Sequence, residues 1–189
     1  DDGAQLEINN GGGSWDEREV VDAGFLELVR LGIRPASDPT ILRSLRVVDA
    51  TIRFEAPQGP IFYRYNHDGY GEKANGQPYD GSGVGRPWPL LSGERGEYEL
   101  ARGSAADARR YLDALLGSAG PGGMIPEQIW DRSAPSPAGA RLGQGTGSAT
   151  PLAWAMAGFI RLALGLEQGR ILEQPEVVAR RYLARSRGK

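Results

Sequence analysis

Apolar positions recur at helical spacing over most of the chain, in blocks separated by two long irregular stretches. Ser14 followed three residues later by Glu17 has the form of a capping box, and Val20, Val21, Phe25, Leu28, Val29 and Leu31 continue the period. This predicts a helix from about Trp15 to Leu31, stopped by Gly32 with Pro35 beyond. Asp38 then offers an N-cap with Pro39 in the first helical position, and Ile41, Leu42, Leu45, Val48 and Ile52 form an apolar face. The two segments read as an antiparallel helical hairpin. Helical spacing returns from Pro87 to Ala101, again after Ser104 through Leu116, from Thr150 and Pro151 through Leu166, and from Pro175 through Leu183. The total is about six helices.

The segments 57–87 and 121–148 lack this period. Gly, Pro and aromatics dominate the first, in which Ile61, Phe62 and Tyr63 suit a short strand; long ordered loops of this kind usually carry function. A mainly α chain that alternates helices with irregular insertions suits a helical barrel whose functional loops gather at one end.

Composition narrows the function classes. The 189 residues, 40% of them apolar, suffice for one domain with a buried core. With 22 basic and 24 acidic residues the formal charge is −2, so nucleic acid is a poor partner and a neutral substrate fits better. No apolar run approaches the roughly 20 residues that cross a bilayer, and no signal-peptide pattern is visible, so no membrane partner is expected and the chain as given is expected to be soluble. Zero cysteines exclude disulfides and thiolate chemistry, and a single histidine excludes a multi-histidine zinc site. A start at Asp1 rather than Met gives the expectation of a piece cut from a longer protein.

Three clusters carry candidate chemistry. Tyr63-Arg64-Tyr65-Asn66-His67-Asp68-Gly69-Tyr70-Gly71-Glu72 packs a guanidinium, carboxylates and phenols into ten residues, a mixture suited to sugar hydroxyls and the apolar face of a pyranose. The same residues suit a surface loop with a structural Arg–Asp pair. In Gly85-Arg86-Pro87-Trp88-Pro89, prolines fix Trp88 at the start of a helix, as a stacking platform or as a core residue. Glu127 lies on irregular backbone among Met124, Ile125, Ile129 and Trp130, where a carboxylate must be paired, solvated through a cleft, or shifted in proton affinity. Two other patterns carry less. Gly143-Gln144-Gly145-Thr146-Gly147-Ser148 lacks the preceding strand and the Lys of a phosphate loop, and Asp68, Glu72 and Asp80 do not have calcium-loop spacing. Neither a metal nor a cofactor is expected.

Taken in order, these clusters with Gly93-Glu94-Arg95-Gly96, Ile125-Pro126-Glu127-Gln128-Ile129-Trp130-Asp131 and Thr150-Pro151-Leu152-Ala153-Trp154 resemble the successive motifs of bacterial glucoamylases and glucodextranases. The similarity runs from about Glu17 to Leu166. It implies an (α/α)6 barrel and an inverting exo-hydrolase that frees β-glucose from the non-reducing ends of α-glucans, α-1,4, α-1,6 and trehalose linkages staying open. By motif position, Glu127 corresponds to the catalytic general base, and Arg64, Asp68 and Trp88 to residues shaping the sugar subsites; Tyr70 and Trp130 are further substrate-binding assignments. An inverting pair needs a second carboxylate about 6.5–9.5 Å away. The family's general acid lies farther upstream of the arginine motif than this chain extends, and Glu17 and Glu19 lie outside the acid motif. Helical hairpins forming about half of the barrel are therefore expected, residues 1–189 being the C-terminal part of the catalytic domain. Its expected partners are an oligosaccharide or α-glucan and the N-terminal half of the same domain, which would cover exposed apolar helix faces. A non-catalytic carbohydrate-binding or regulatory fragment is the alternative. A polymeric substrate implies an extracellular or periplasmic location.

Overall fold

The computed structural model describes residues 2–183. Six α-helices and two small hairpins are present among them. Strands β1 (Gln5–Ile8) and β2 (Gly13–Asp16) pair antiparallel, Leu6 opposite Trp15. A short helix α1 (Glu27–Arg30) and the long α2 (Pro39–Thr51) follow. Strands β3 (Arg53–Ala56) and β4 (Gly59–Phe62) form the second antiparallel hairpin. Helices α3 (Pro89–Ala101), α4 (Ala105–Gly117), α5 (Ala153–Gln168) and α6 (Glu176–Tyr182) complete the order.

The expected helix from Trp15 to Leu31 does not form. Ser14 lies in β2, and the Glu17 carboxylate accepts from the backbone N–H of Asp2 at 2.7 Å and Gly3 at 3.2 Å instead of closing a capping box. The β-branched Val20 and Val21 run extended: Val21 N–H donates to Asn66 Oδ1 at 2.6 Å, and Asp22 bridges Tyr65. Helical backbone in this segment is limited to the 3-10 turns Glu17–Glu19 and Gly24–Leu26 and the short α1. The first pair is therefore not a hairpin of two long helices, and residues 13–22 brace a candidate site loop. The strand expected at Ile61–Tyr63 exists as β4, one to two residues earlier.

Helix α2 matches its pattern: the Asp38 carboxylate accepts from Thr40 N–H at 2.8 Å, Pro39 occupies the first turn, and Ile41, Leu45 and Val48 are buried. Helix α3 sits between α4 and α5 and is buried almost all round despite its charge. Gly96 permits this, because a Cβ there would run into Leu162 and the Tyr111 Cβ. Arg95, Glu97 and Glu99 are paired. The Arg95 guanidinium donates to Asp49 at 2.6 and 3.1 Å and to Glu99 at 3.1 Å, and Arg161 of α5 donates to Glu97 at 3.0 and 2.6 Å. Burial, with Glu27 and Glu97 close by, pushes the Glu94 carboxyl up to about 7. Apolar side chains interleave between these pairs, with Leu90, Leu115, Ile125 and Ala155 in one cluster and Ala108, Leu112 and Leu162 in another. The C-terminal end of β4 and the start of α3 thus meet beside the two long loops.

Candidate active site

The two loops converge because extended backbone ties each to the other. Phe62 of β4 and Trp88 at the head of α3 form an isolated bridge, with Trp88 N–H donating to Phe62 carbonyl at 2.7 Å. Ile129 N–H donates to Pro87 carbonyl at 3.0 Å, and Ile129 bridges Gly145 on its other edge. The Gly143–Ser148 segment serves here as a partner strand rather than a phosphate loop: Trp130 N–H reaches Gln144 carbonyl at 2.8 Å, and Thr146 N–H reaches Gln128 carbonyl at 3.1 Å. Glu127 is held from behind by its own N–H on Ala149 carbonyl at 2.9 Å. Gln128, fully buried, donates from Nε2 to Tyr70 carbonyl at 3.0 Å and so locks the first loop to the second.

Glu127 is 8% exposed, and its Oε1 has no hydrogen-bond partner among the described residues. Burial raises the carboxyl above its ordinary pKa, while a hydrogen bond from the Tyr70 hydroxyl and the Arg64 charge pull it part of the way back. Burial, and after it the Glu127 charge, in turn raise the Tyr70 phenol. A carboxylate with raised proton affinity is suited to taking a proton from water.

Arg64 and Asp68 form a two-pronged pair, Nε to Oδ2 at 3.0 Å and Nη2 to Oδ1 at 2.8 Å. Asp68 Oδ1 also accepts from Tyr70 N–H at 2.9 Å, which sets the phenol beside Glu127. The Arg64 guanidinium lies 5.4 Å from the Tyr70 ring centre and 5.3 Å from that of Trp88. Trp88 is buried, and its indole N–H has no partner among the described residues.

The N-terminal hairpin braces this loop. The Trp15 and His67 rings stack at 3.5 Å, and the Tyr79 hydroxyl meets Asn10 Oδ1 at 2.5 Å. Gly69, between Asp68 and Tyr70, allows the close approach, since a Cβ there would press into the Asn10 carbonyl, which is backbone and cannot swing away. Gly69→Ala is expected to cost about 1–3 kcal/mol through this overpacking. Urea denaturation of the variant checks it, and an unchanged midpoint would refute the brace.

A cavity of about 660 Å³ opens beside Glu127, lined among others by Tyr70, Glu72, Tyr79, Thr146 and Gly147. The sequence alone singled out neither Tyr79 nor Gly147 as functional, and it weighed Glu72 only as a cluster member and a calcium ligand. Among the described residues no group of three or more acidic or histidine side chains could hold a metal ion.

Comparison with known proteins identifies the lineage of this loop arrangement. The family profile described as Glycosyl hydrolases family 15 matches residues 3–164. The chain belongs to glycosyl hydrolase family 15. It is 48% identical over 180 residues to a glucoamylase of Clostridium sp. (strain G0005), which covers 95% of this chain and 24% of that protein. The crystal structure of a bacterial glucoamylase complexed with acarbose superposes with a TM-score of 0.87 at 46% identity, over 95% of this chain and 25% of that one. A structure described as a wild-type glycosidase matches with a TM-score of 0.58 at 23% identity, covering 83% of this chain and 39% of its own, a likeness of fold alone. The chain thus spans about a quarter of the length of the glucoamylases it matches.

Within this family 15 chain the expected site residues fall into two sets. Glu127, Tyr70, Arg64, Asp68 and Trp88 form one connected set, joined through Arg64 and Tyr70. Trp130 stands apart, 2% exposed, its indole N–H on Ala134 carbonyl at 2.7 Å and its ring 4.3 Å beneath the Arg86 guanidinium. That position supports the loop from below. Arg86, fully buried, pairs with Asp131 and donates to the backbone carbonyls of Glu72 at 3.2 Å and Lys73 at 2.8 Å. Asp131 also accepts from the Tyr63 hydroxyl at 2.8 Å.

Proposed function

We propose that this chain supplies the general base and part of the sugar subsites of an exo-acting, inverting glucan α-glucosidase that releases β-glucose from non-reducing ends. The observation that carries the reading is Glu127: a nearly buried carboxylate with an unpartnered oxygen, raised proton affinity and a tyrosine on its flank, beside an Arg–Asp pair and a rigid tryptophan. The glucoamylase relatives, one of them bound to acarbose, support a glucosyl substrate. Glu127 takes the proton of a water as it attacks the anomeric carbon, and a second carboxylic acid protonates the departing oxygen from the opposite face.

That acid comes from the N-terminal half of the same catalytic domain, the present chain forming the C-terminal half of an (α/α)6 barrel. Apolar side chains left exposed along α5, Trp154 at 57% and Ile160 at 53%, support such a covering partner. The polymeric substrate favours an extracellular or periplasmic site of action. The expected outcome is that protein containing both halves frees glucose from maltooligosaccharides, while this chain alone frees none. Turnover by the isolated chain would overturn the division of labour.

The base must be ionised to work, so activity is lost as pH falls through the Glu127 pKa. The Tyr70 hydroxyl lowers that pKa, and Tyr70→Phe therefore moves the acid limb of the kcat/KM profile to higher pH. An unmoved or lowered limb would remove Tyr70 from this role.

A further inference from the structure

The Gly93-Glu94-Arg95-Gly96 motif holds a carboxylate that the catalytic reading leaves unused. Glu94 is partly buried on α3, one turn before Glu97. Two guanidiniums lie near it, and both are committed elsewhere. Arg30 of α1 donates from Nε to Glu27 at 2.9 and 3.0 Å, from Nη2 to Glu27 again, and from Nη1 to Glu173 at 3.0 Å. Arg161 of α5 donates from Nε and Nη2 to Glu97 at 3.0 and 2.6 Å, and from Nη1 to Glu173 at 3.3 Å. Every nitrogen of both groups is thus directed at a carboxylate other than Glu94.

Four carboxylates, Glu27, Glu94, Glu97 and Glu173, share these two cations, so the cluster has more negative charge than it can pair when all are ionised. Water screens it poorly, the Arg30 and Arg161 side chains being 18% exposed and that of Glu97 only 4%. Glu94 faces Glu27 and Arg30 from α1, Glu97 on its own helix and Arg161 from α5. Burial, then Glu27 and Glu97, favour its protonated form against the pull of Arg161 and Arg30, and the balance lies at about 7. Among the described residues no group of three or more acidic or histidine side chains could hold a metal ion. A proton is the cation that fits.

We propose that Glu94 is a proton-operated latch on the packing of α1 and α5 against α3, closed while its carboxyl is protonated and loosened once it ionises beside Glu27 and Glu97. In the unfolded chain the same carboxyl has its ordinary value of 4.5. The stabilisation is therefore fully present below 4.5 and is lost as pH rises through about 7. Helix α3 begins next to Trp88, and Leu152 N–H at the head of α5 donates to the Ile125 carbonyl at 2.9 Å. The latch thus joins the helices from which both functional loops hang, whatever those loops catalyse.

Urea unfolding of the full-length enzyme from about pH 5 to about pH 8 tests this without reading activity, so the hydrolase reading stands or falls separately. Glu94→Gln, a neutral isostere of the protonated carboxyl, should match the parent at the acid end and exceed it at the alkaline end. The ratio of the two unfolding constants should change on the order of 10–100-fold across the range. Glu27→Gln, at a side chain 39% exposed, removes one facing charge and releases Arg30 towards Glu94. It should move the loss of stability to lower pH, and it decides the case if Glu94→Gln does not fold. A constant ratio, or an unmoved pH course in Glu27→Gln, overturns the inference. So does a Glu94→Gln protein less stable than the parent at the alkaline end, the result expected if the N-terminal half brings Glu94 a cation.

Discussion

Glu127→Gln in the full-length enzyme lowers kcat on maltooligosaccharides by on the order of 10²–10⁴-fold and leaves their affinity within a few-fold of the parent. The substitution keeps the shape of the side chain and removes only its ability to take a proton. Stability should not suffer. Burial disfavours the ionised carboxylate, and Oε1 has no hydrogen bond among the described residues to lose, so a neutral amide is tolerated at least as well. A variant that is inactive, folded and able to bind is the signature of a base, and single-turnover assays with calorimetry read all three. Near-normal turnover would remove Glu127 from the role.

Arg86→Ala is expected to destabilise the protein by about 3–5 kcal/mol, the cost typical of breaking a buried ion pair from one side. Its guanidinium is fully buried, pairs with Asp131, and satisfies the carbonyls of Glu72 and Lys73 while lying on the Trp130 ring. Truncation leaves Asp131 with the Tyr63 hydroxyl in place of a cation, takes one of two donors from the Glu72 and Lys73 carbonyls, which keep Val84 and Gly76 N–H, and opens a void above Trp130. Because the same residue joins the Glu72 segment to the Asp131 segment, catalytic function is lost along with stability. Equilibrium denaturation provides the check, and a cost below about 1 kcal/mol would show that the two loops do not depend on this joint.

The helices were legible where burial is one-sided. Helix α2 announces itself through Asp38, Pro39 and the face Ile41, Leu45 and Val48, and α4 through Ala108, Tyr111, Leu112 and Leu115. Helix α3 has a blurred pattern because its charges are buried in pairs with partners elsewhere, Arg95 with Asp49 and Glu97 with Arg161, which no local period encodes. The segment from Trp15 to Val21 misled for a related reason. Its apolar spacing and capping-box pattern are real, but Glu17 and Val21 find their hydrogen bonds with Asp2, Gly3 and Asn66, and these distant partners outweigh the weak local preference.

Much the same division applies to the candidate site. Arg64, Asp68 and Tyr70 lie close in sequence, and their mixture of charge and aromaticity is visible on its face. Glu127 is conspicuous as a carboxylate among apolar neighbours. Trp130, with the same apparent credentials, is taken up by Ala134 and Arg86. Glu72 gains its place from Gly147, 75 residues away, a contact that only the folded chain creates.

The role of Glu127 is decided by which face of the anomeric carbon receives the water. Proton NMR of glucose in the first moments of hydrolysis by the full-length enzyme, before mutarotation, reads this. If Glu127 delivers water opposite the leaving oxygen, the fresh product is the β anomer and the α anomer grows in afterwards. Fresh α-glucose would contradict the assignment of Glu127 as the base of an inverting reaction.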